Sequence, residues 1–128
     1  MRPNVFLLAA LFILGSGLYS CKKSETLPTA TITVYSPTMN QVYMPGDTVR
    51  ISAKIEGETS LHGYHTAITN VSGDTLFAAD SHEHAAVLTV DEYWINTLPT
   101  SVELTVSISS EINHEGLEVS KAVTIRTQ

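Results

Sequence analysis

Histidine is the residue type in this sequence that most clearly offers chemistry. His82 and His84 flank Glu83 in the segment SHEHA. In an extended strand, residues two apart point to the same side, so both rings can reach one ion. Imidazole suits zinc and copper, and a tetrahedral site needs three or four ligands. A His-x-His pair therefore needs further ligands from elsewhere in the fold.

The chain upstream of this pair reads as a β-hairpin with its turn at 70–74. Asn, Gly and Asp in that stretch are typical turn residues. If Thr69 lies opposite Thr75, the antiparallel ladder places His62 opposite His82, on the same side of the sheet. A shift of one residue changes the partner but keeps these histidines at the same end of the hairpin.

Hydrophobic residues alternate with polar ones through most of the chain after residue 29. One segment places Val49, Ile51, Ala53 and Ile55 on one face, and another does the same with Val102, Leu104, Val106 and Ile108. This period of two is typical of half-buried antiparallel strands. We expect an all-β fold, a single antiparallel β-sandwich of about seven strands. The expected strands are 30–35, 47–56, 61–69, 75–80, 85–91, 101–110 and 117–126.

The segment VYSPTMNQVYMPGDTVRISAKI resembles the immunoglobulin-like domains of bacterial surface proteins: a strand, Ser-Pro, a loop, then Gly-Asp-Thr opening the second strand. In such a sandwich three loops emerge at one end. The resemblance implies that these loops carry His62, then His82 and His84, then His114. These four histidines are the candidate ligands for zinc or copper. Two alternatives are histidines that are simply solvated in loops and a pH-sensing role, because closely placed imidazoles repel when protonated.

The amino terminus has the pattern of an export signal. Arg2 precedes an unbroken apolar run, 5–14, which is too short to span a membrane and fits a signal-peptide core. The signal ends in Leu18-Tyr19-Ser20-Cys21, which resembles the lipobox of bacterial lipoproteins, with Tyr19 standing where a small residue is usual. Cys21 is the single cysteine of the chain, so it is better explained as a lipid anchor than as half of a disulfide.

The lipobox resemblance implies lipid transfer to the Cys21 sulfur, cleavage before Cys21, and acylation of the new amino terminus by a fatty acid such as palmitate. We therefore divide the chain into a signal peptide (1–20), a lipidated Cys and polar tether (21–29) and the sandwich domain (30–128). Lys22 follows the cysteine where an inner-membrane retention signal has Asp. By that analogy the expected location is the outer membrane of a Gram-negative cell, and the chain is similar to small His-bearing envelope lipoproteins whose function is not established.

Charge and motif content narrow the function. The net charge of −6 and the lack of a basic cluster argue against nucleic acid as a partner. We find no nucleophile elbow and no Gly-rich phosphate loop in the sequence, so enzyme activity is not expected. The prediction is a lipid-anchored, non-catalytic binding or interaction module of the envelope, with an envelope protein as one candidate partner. The alternative is a lipoprotein that binds zinc or copper through its histidines.

Overall fold

The computed structural model describes residues 26–128, which form six strands and no helix. The strands are β1 (Ala30–Ser36), β2 (Val42–Tyr43), β3 (Thr48–Asn70), β4 (Thr75–Ile95), β5 (Glu103–Glu111) and β6 (Glu118–Thr127). The prediction of an all-β, sandwich-like fold is confirmed. The predicted signal peptide, 1–20, and the lipidated Cys21 lie outside the described residues.

Two long strands, β3 and β4, dominate the fold and correct the predicted strand list. β3 has 23 residues and β4 has 21, and they pair antiparallel as one hairpin. Each replaces two predicted strands, because the expected breaks near 57–60 and 81–84 are irregularities inside a continuous ladder. With the short β2 added, the count is six rather than about seven. A strand can bend at such bulges without ending its pairing.

The sheet curls because each half of the long hairpin has different neighbours. The first half of β3 lies between β1 and the end of β4. The second half of β3 lies between the start of β4 and β5, and β6 follows β5. Pairing is antiparallel except for β2, which runs parallel to β6, so the expectation of a purely antiparallel fold is wrong at this strand. Strands that pass from one layer to the other through bends close the fold over one core.

The core follows the alternation seen in the sequence. On β3 the predicted inward set is fully buried: Val49, Ile51, Ala53 and Ile55. On β5 the inward residues are Leu104, Val106 and Ile108, which pack with them in a single cluster. Burying an aliphatic side chain of this size stabilises the fold by about 1.5–3 kcal/mol. The alternating pattern therefore fixes which face of each strand carries the polar residues.

A lysine bridges the edge where the curled sheet approaches itself. Lys121 on β6 lies opposite the buried Ile108 of β5, an inward-facing register position. Its Nζ donates a hydrogen bond of 3.2 Å to the backbone carbonyl of Ile32 on β1. A long, flexible side chain lets the ammonium group reach a polar partner from such a position. Lys121 thus joins β6 to β1, which the backbone ladders leave apart.

The residue preceding β1 is fixed to the bend of β3. Thr29 donates its backbone N–H to Oε2 of Glu58 at 3.0 Å, and the backbone N–H of Glu58 donates to the carbonyl of Thr29 at 3.0 Å. Glu58 lies a few residues before His62 on the same strand. The chain therefore enters the domain beside the bend of β3.

Candidate functional site

Gly63 creates a β-bulge that sets the position of the histidines around it. The β3–β4 register shifts between His62 and Tyr64. Gly63 has φ of 95°, and a Cβ placed there would lie 1.9 Å from the carbonyl oxygen of Ser81. Only glycine fits a backbone that is both left-handed and this close to a neighbouring strand. The buried Ser110 hydroxyl donates to the carbonyl of Gly63 at 2.6 Å, which fixes the bulge from β5.

The bulge changes which residues face the core. Leu61 is fully buried in the core cluster, and so is Ile68, although the two residues are seven positions apart. In a regular strand they would face opposite sides of the sheet. The left-handed backbone at Gly63, which faces both His82 and Glu83 of β4, allows Leu61 and Ile68 to point inward. As a result His62 and His65 both lie on the outer face.

Three histidines from three segments meet on this face, and we call them the histidine trio: His62 of β3, His84 of β4 and His114 of the β5–β6 loop. The ring centroids of His62 and His84 are 4.8 Å apart, with the rings at 86°. The centroids of His62 and His114 are 4.0 Å apart, with the rings at 51°. The expected gathering of histidines from the hairpin and the last loop is therefore seen for these three residues.

The fourth predicted histidine, His82, lies elsewhere. The register predicted His62 opposite His82, and this prediction is wrong, because His62 lies opposite His84. The irregular pairing leaves His82 and Glu83 between the Ser81 and His84 positions of β4. His82 lines a groove that His62 and His65 also line, and its ring is not among those in contact with His62. A register predicted from the sequence assumes that each residue of one strand pairs with one residue of the other, so it does not reveal a bulge of this kind.

One nitrogen in the trio has no hydrogen-bond partner. Within residues 26–128, Nδ1 of His62 is a buried side-chain atom that makes no hydrogen bond. Leaving a buried polar atom unpaired costs about 1–3 kcal/mol. Such an atom is expected to have a role that compensates for this cost.

The groove beside the trio, which we call the acidic groove, has a volume of about 210 Å³. Its described lining contains three carboxylates, Asp80, Glu111 and Glu118, and neither Lys nor Arg. In its wall, Nδ1 of His65 lies 2.6 Å from Oδ1 of Asp80. The groove therefore presents negative charge and imidazole together, which favours a cationic ligand over an anionic one.

Tyr64, next to the bulge, points to the inner side of the fold. Its hydroxyl donates a hydrogen bond of 2.9 Å to Oε1 of Glu92 on β4. Burial, followed by the bond to the Glu92 carboxylate, raises the pKa of Tyr64 to about 12. The phenol therefore stays protonated and acts as a donor that ties the bulge to the other layer.

The sequence did not predict the His65–Asp80 pair or the Gly63–Ser110 contact. The first depends on a register that is displaced by one residue at the irregularity between Ile68 and Thr69, since His65 lies opposite Asp80. The sequence does contain an indication of the Gly63–Ser110 contact. Gly63 lies between Leu61 and Ile68, two apolar residues that a regular strand would place on opposite faces. Glycine at such a change of parity indicates a bulge.

The trio as it stands is packed ring against ring. Within residues 26–128, no three side chains among His, Cys, Asp and Glu are arranged to hold a metal ion. The same part of the chain contains no helix with the length and hydropathy of a membrane span. The imidazoles nevertheless offer several nitrogens in a small volume beside a negatively charged groove.

Fold and site together define an all-β protein with a curled sheet and a histidine-bearing outer face. No protein-family model matches the chain, and no curated protein matches it in sequence.

Proposed function

We propose that the chain is a lipid-anchored lipoprotein of the cell envelope whose β domain works as a non-catalytic binding module. The anchor is supported by the sequence, through the segment 18–21 and its single cysteine. The binding role is carried by one observation: the histidine trio meets beside the acidic groove on an outer face of the sheet. Residues of different segments gathered in this way are typical of binding sites.

We propose that the domain is immunoglobulin-like. Support comes from the order of pairing, because β1, the first half of β3 and the end of β4 lie side by side, as strands A, B and E do in that fold. The second half of β3, with β5 and β6, corresponds to strands C, F and G. Under this proposal the trio lies on the loops and bends at one end of the sandwich, where variable domains bind their ligands.

The proposed location is the outer membrane of a Gram-negative cell. Support for it is the residue after the cysteine, because Lys22 stands where Asp would favour retention at the inner membrane. Lys22 and Lys23 add positive charge next to the lipid, where anionic headgroups attract it. The domain is held to the membrane and meets its partner from there.

A binding role is favoured over a catalytic one by the shape of the site. The groove volume of about 210 Å³ is below the few hundred to a thousand cubic ångströms of common ligand pockets. His65 and its partner Asp80 are both exposed to solvent, so the pair is not enclosed in a water-free site. Tyr64 keeps its proton because its pKa is raised to about 12, so it serves as a structural donor.

The anchor is tested by replacing Cys21 with Ser. We expect the variant to move from the membrane to the soluble fraction, since two or three acyl chains hold a protein firmly and none does not. Lys22→Ala, which keeps the cysteine, is the matched control and should stay with the membrane. A Cys21→Ser protein that remains with the membrane under high salt contradicts the proposal.

Binding of an envelope protein is tested by photo-crosslinking in cells. A crosslinking residue at Glu111 in the acidic groove is compared with one at Thr33, an exposed position on β1 in the other layer. We expect a protein adduct from Glu111 and none from Thr33. Equal adducts from both positions, or adducts from Thr33 alone, contradict the placement of the binding face.

A second candidate function, transition-metal binding, is favoured by the histidine trio and the unpartnered Nδ1 of His62. Zinc and copper fit because their preferred ligands include neutral imidazole. Titration of the purified full chain with either ion tests this candidate. Absence of binding tighter than about micromolar contradicts it.

A further inference from the structure

We infer that the free edge of β4, over residues 87–95, pairs with the same edge of a second copy of this chain in an antiparallel, two-fold symmetric dimer. This inference goes beyond the functions proposed above, because the segment includes neither the histidine trio nor any residue that lines the acidic groove. The contact would join one sheet layer of each copy into a single continuous sheet.

β4 has a neighbouring strand on one side only. Among the described residues it pairs with β3 and with no other strand. Over residues 87–95 this pairing is regular, because the β3 residues from Glu56 back to Thr48 follow in register without a shift. An unpaired strand edge offers its N–H and C=O groups to another strand. The outer edge of this segment is therefore an uninterrupted template for strand pairing.

Asn96, which follows the segment, shows which residues turn their peptide groups toward the free edge. Its N–H donates to the carbonyl of Asp47, just before β3, at 2.8 Å. Along an antiparallel strand, alternate residues direct their N–H and C=O groups to opposite sides. Their side chains lie on the outer face of the sheet, because the intervening Leu88 and Val90 are buried. Counting back from Asn96, the residues that face the free edge are Val87, Thr89, Asp91, Tyr93 and Ile95.

The segment lacks the features that usually protect an edge strand. Its sequence, VLTVDEYWI, contains no Pro, Gly, Lys or Arg. Native proteins commonly place Lys or Pro on a free edge, or bend it with a bulge. β1, at the other edge of the same layer, has such features: its register shifts between Val34 and Ser36, and Lys121 donates to Ile32. The contrast indicates that the β4 edge is kept open for a partner strand.

Both carboxylates of the segment are already engaged within the chain. Oε1 of Glu92 accepts the hydroxyl of Tyr64 at 2.9 Å. Oδ1 of Asp91 accepts Nε of Arg50 at 2.7 Å. Like charges directly opposite each other destabilise a ladder, but each copy brings its own Arg50 to the contact. Two such edges therefore meet without an excess of negative charge at the centre.

The outer side chains of the segment are complementary to themselves. In an antiparallel pairing centred on Asp91, Val87 lies opposite Ile95 of the second copy, and Thr89 lies opposite Tyr93 of the second copy. Cross-strand pairs of aliphatic side chains, and of aromatic with β-branched ones, stabilise a ladder. Val87, Tyr93 and Ile95 are 48%, 54% and 58% exposed in the single chain. The symmetry gives each of them a partner, which favours a second copy as the occupant.

The test is disulfide crosslinking of cysteine variants of the detergent-purified full chain under mild oxidation. Asp91→Cys lies on the two-fold axis, where paired Cα atoms about 4.5–5.5 Å apart are within the span of a disulfide. Thr89→Cys is the matched control, because its two copies are offset by four residues, about 13 Å. We expect at least about tenfold more covalent dimer from Asp91→Cys than from Thr89→Cys, since a disulfide does not bridge Cα atoms more than about 7 Å apart. An equimolar mixture of Thr89→Cys and Tyr93→Cys should again give covalent dimer.

A second variant tests the pairing without relying on the position of the cysteine. In the Asp91→Cys chain, Val87→Lys should reduce the covalent dimer at least about tenfold, because Lys on an edge strand opposes edge-to-edge pairing. Val71→Lys, at a 79% exposed position in the turn between β3 and β4, is the matched control and should leave the amount of dimer unchanged. The native chain, which retains Cys21, gives the background, and far-UV circular dichroism checks that each variant folds.

The outcomes separate this dimer from the functions proposed above. Dimer that follows the predicted register and is lost in Val87→Lys supports the inference. Equal dimer from Asp91→Cys and Thr89→Cys overturns the register, and no dimer above the background overturns the inference as a whole. Oxidation in cells that links Asp91→Cys to a different protein instead of to itself overturns the second copy as the occupant. None of these results bears on the lipid anchor or the acidic groove, which are judged by their own experiments.

Discussion

The imidazole ring of His62 lies 4.0 Å, centroid to centroid, from that of His114, so the middle of the longest strand touches the loop between the last two strands. This contact exists because the bulge at Gly63 directs His62 to the outer face. The site therefore depends on a backbone irregularity as much as on its side chains. The first two predictions concern that irregularity.

Replacing Gly63 with Ala should destabilise the domain strongly. The new Cβ would lie 1.9 Å from the Ser81 carbonyl, at a φ of 95°. We expect a loss of about 3 kcal/mol or more in the free energy of unfolding, measured by denaturant titration. Gly73→Ala is the matched control, because Gly73 has a similar φ of 89° with open space around it, and it should cost only about 1–2 kcal/mol. Equal losses in the two variants contradict the close contact.

Replacing Ser110 with Ala should weaken the bulge from the other side. Ser110 is 2% exposed, and its hydroxyl donates to Gly63 at 2.6 Å, so its loss leaves a carbonyl without this partner. We expect a loss of about 1–3 kcal/mol in the free energy of unfolding. Ser107→Ala is the control, since the Ser107 hydroxyl bond to Ala67 is long, at 3.4 Å, and its loss should have a smaller effect. A Ser110→Ala protein as stable as the native chain argues against this role.

Replacing Lys121 with Met should loosen the edge between β6 and β1. The variant keeps the aliphatic stem but loses the bond of 3.2 Å to Ile32. We expect a loss of about 1 kcal/mol in the free energy of unfolding and faster amide hydrogen exchange in β1. Lys54→Met, which removes an exposed ion pair with Glu56, is the control and should change stability by less than about 0.5 kcal/mol. Unchanged exchange in β1 contradicts the bridging role.

Tyr64 gives a prediction for alkaline pH. Its folded-state pKa, about 12, lies above the ordinary value of 10.0. Between these values the folded protein keeps a proton that the unfolded chain has lost, so stability is fully present below pH 10.0 and falls as pH rises toward 12. The Tyr64→Phe variant should lose less stability over this range, measured by urea unfolding at a series of pH values.

The ultraviolet absorbance of tyrosinate checks the same assignment directly. Subtracting the Tyr64→Phe titration from that of the native chain should leave one phenol with a midpoint near 12. Glu92→Gln should lower that midpoint while leaving it above 10.0, because burial is the larger cause and the carboxylate the smaller one. A difference curve centred at 10.0 or lower contradicts the buried bond between Tyr64 and Glu92.

The alternation of residues was sufficient to predict the all-β fold and the inward faces of the strands. Val49 and Ile55 on β3, and Leu104 and Ile108 on β5, are buried as their parity indicates. Side chains on a strand alternate strictly, so a polar residue between two apolar ones identifies the outer face. This local rule requires no knowledge of which strands are neighbours.

Alternation alone could not predict that β3 and β4 each continue as one strand, nor which histidine of β4 lies opposite His62. Gly57 favours a turn and the polar run in SHEHA interrupts the apolar alternation, yet the ladder continues past both with shifts of register. Whether a glycine ends a strand or bends it depends on the partner strand, which parity does not specify. The topology was sufficient to predict that the histidines group at one end of the domain. That His84, and not His82, lies opposite His62 could be seen only from the pairing of the two backbones.

The tie between Thr29 and Glu58 has a consequence for how the domain stands on a bilayer. If Cys21 carries the lipid, the chain from Cys21 to Thr29 spans at most about 29 Å in any conformation. From Glu58 to His62 the extended strand adds at most about 14 Å. The histidines would then lie on the membrane-proximal end of the domain, and whatever they bind would be collected from the thin layer of solvent above the lipid headgroups.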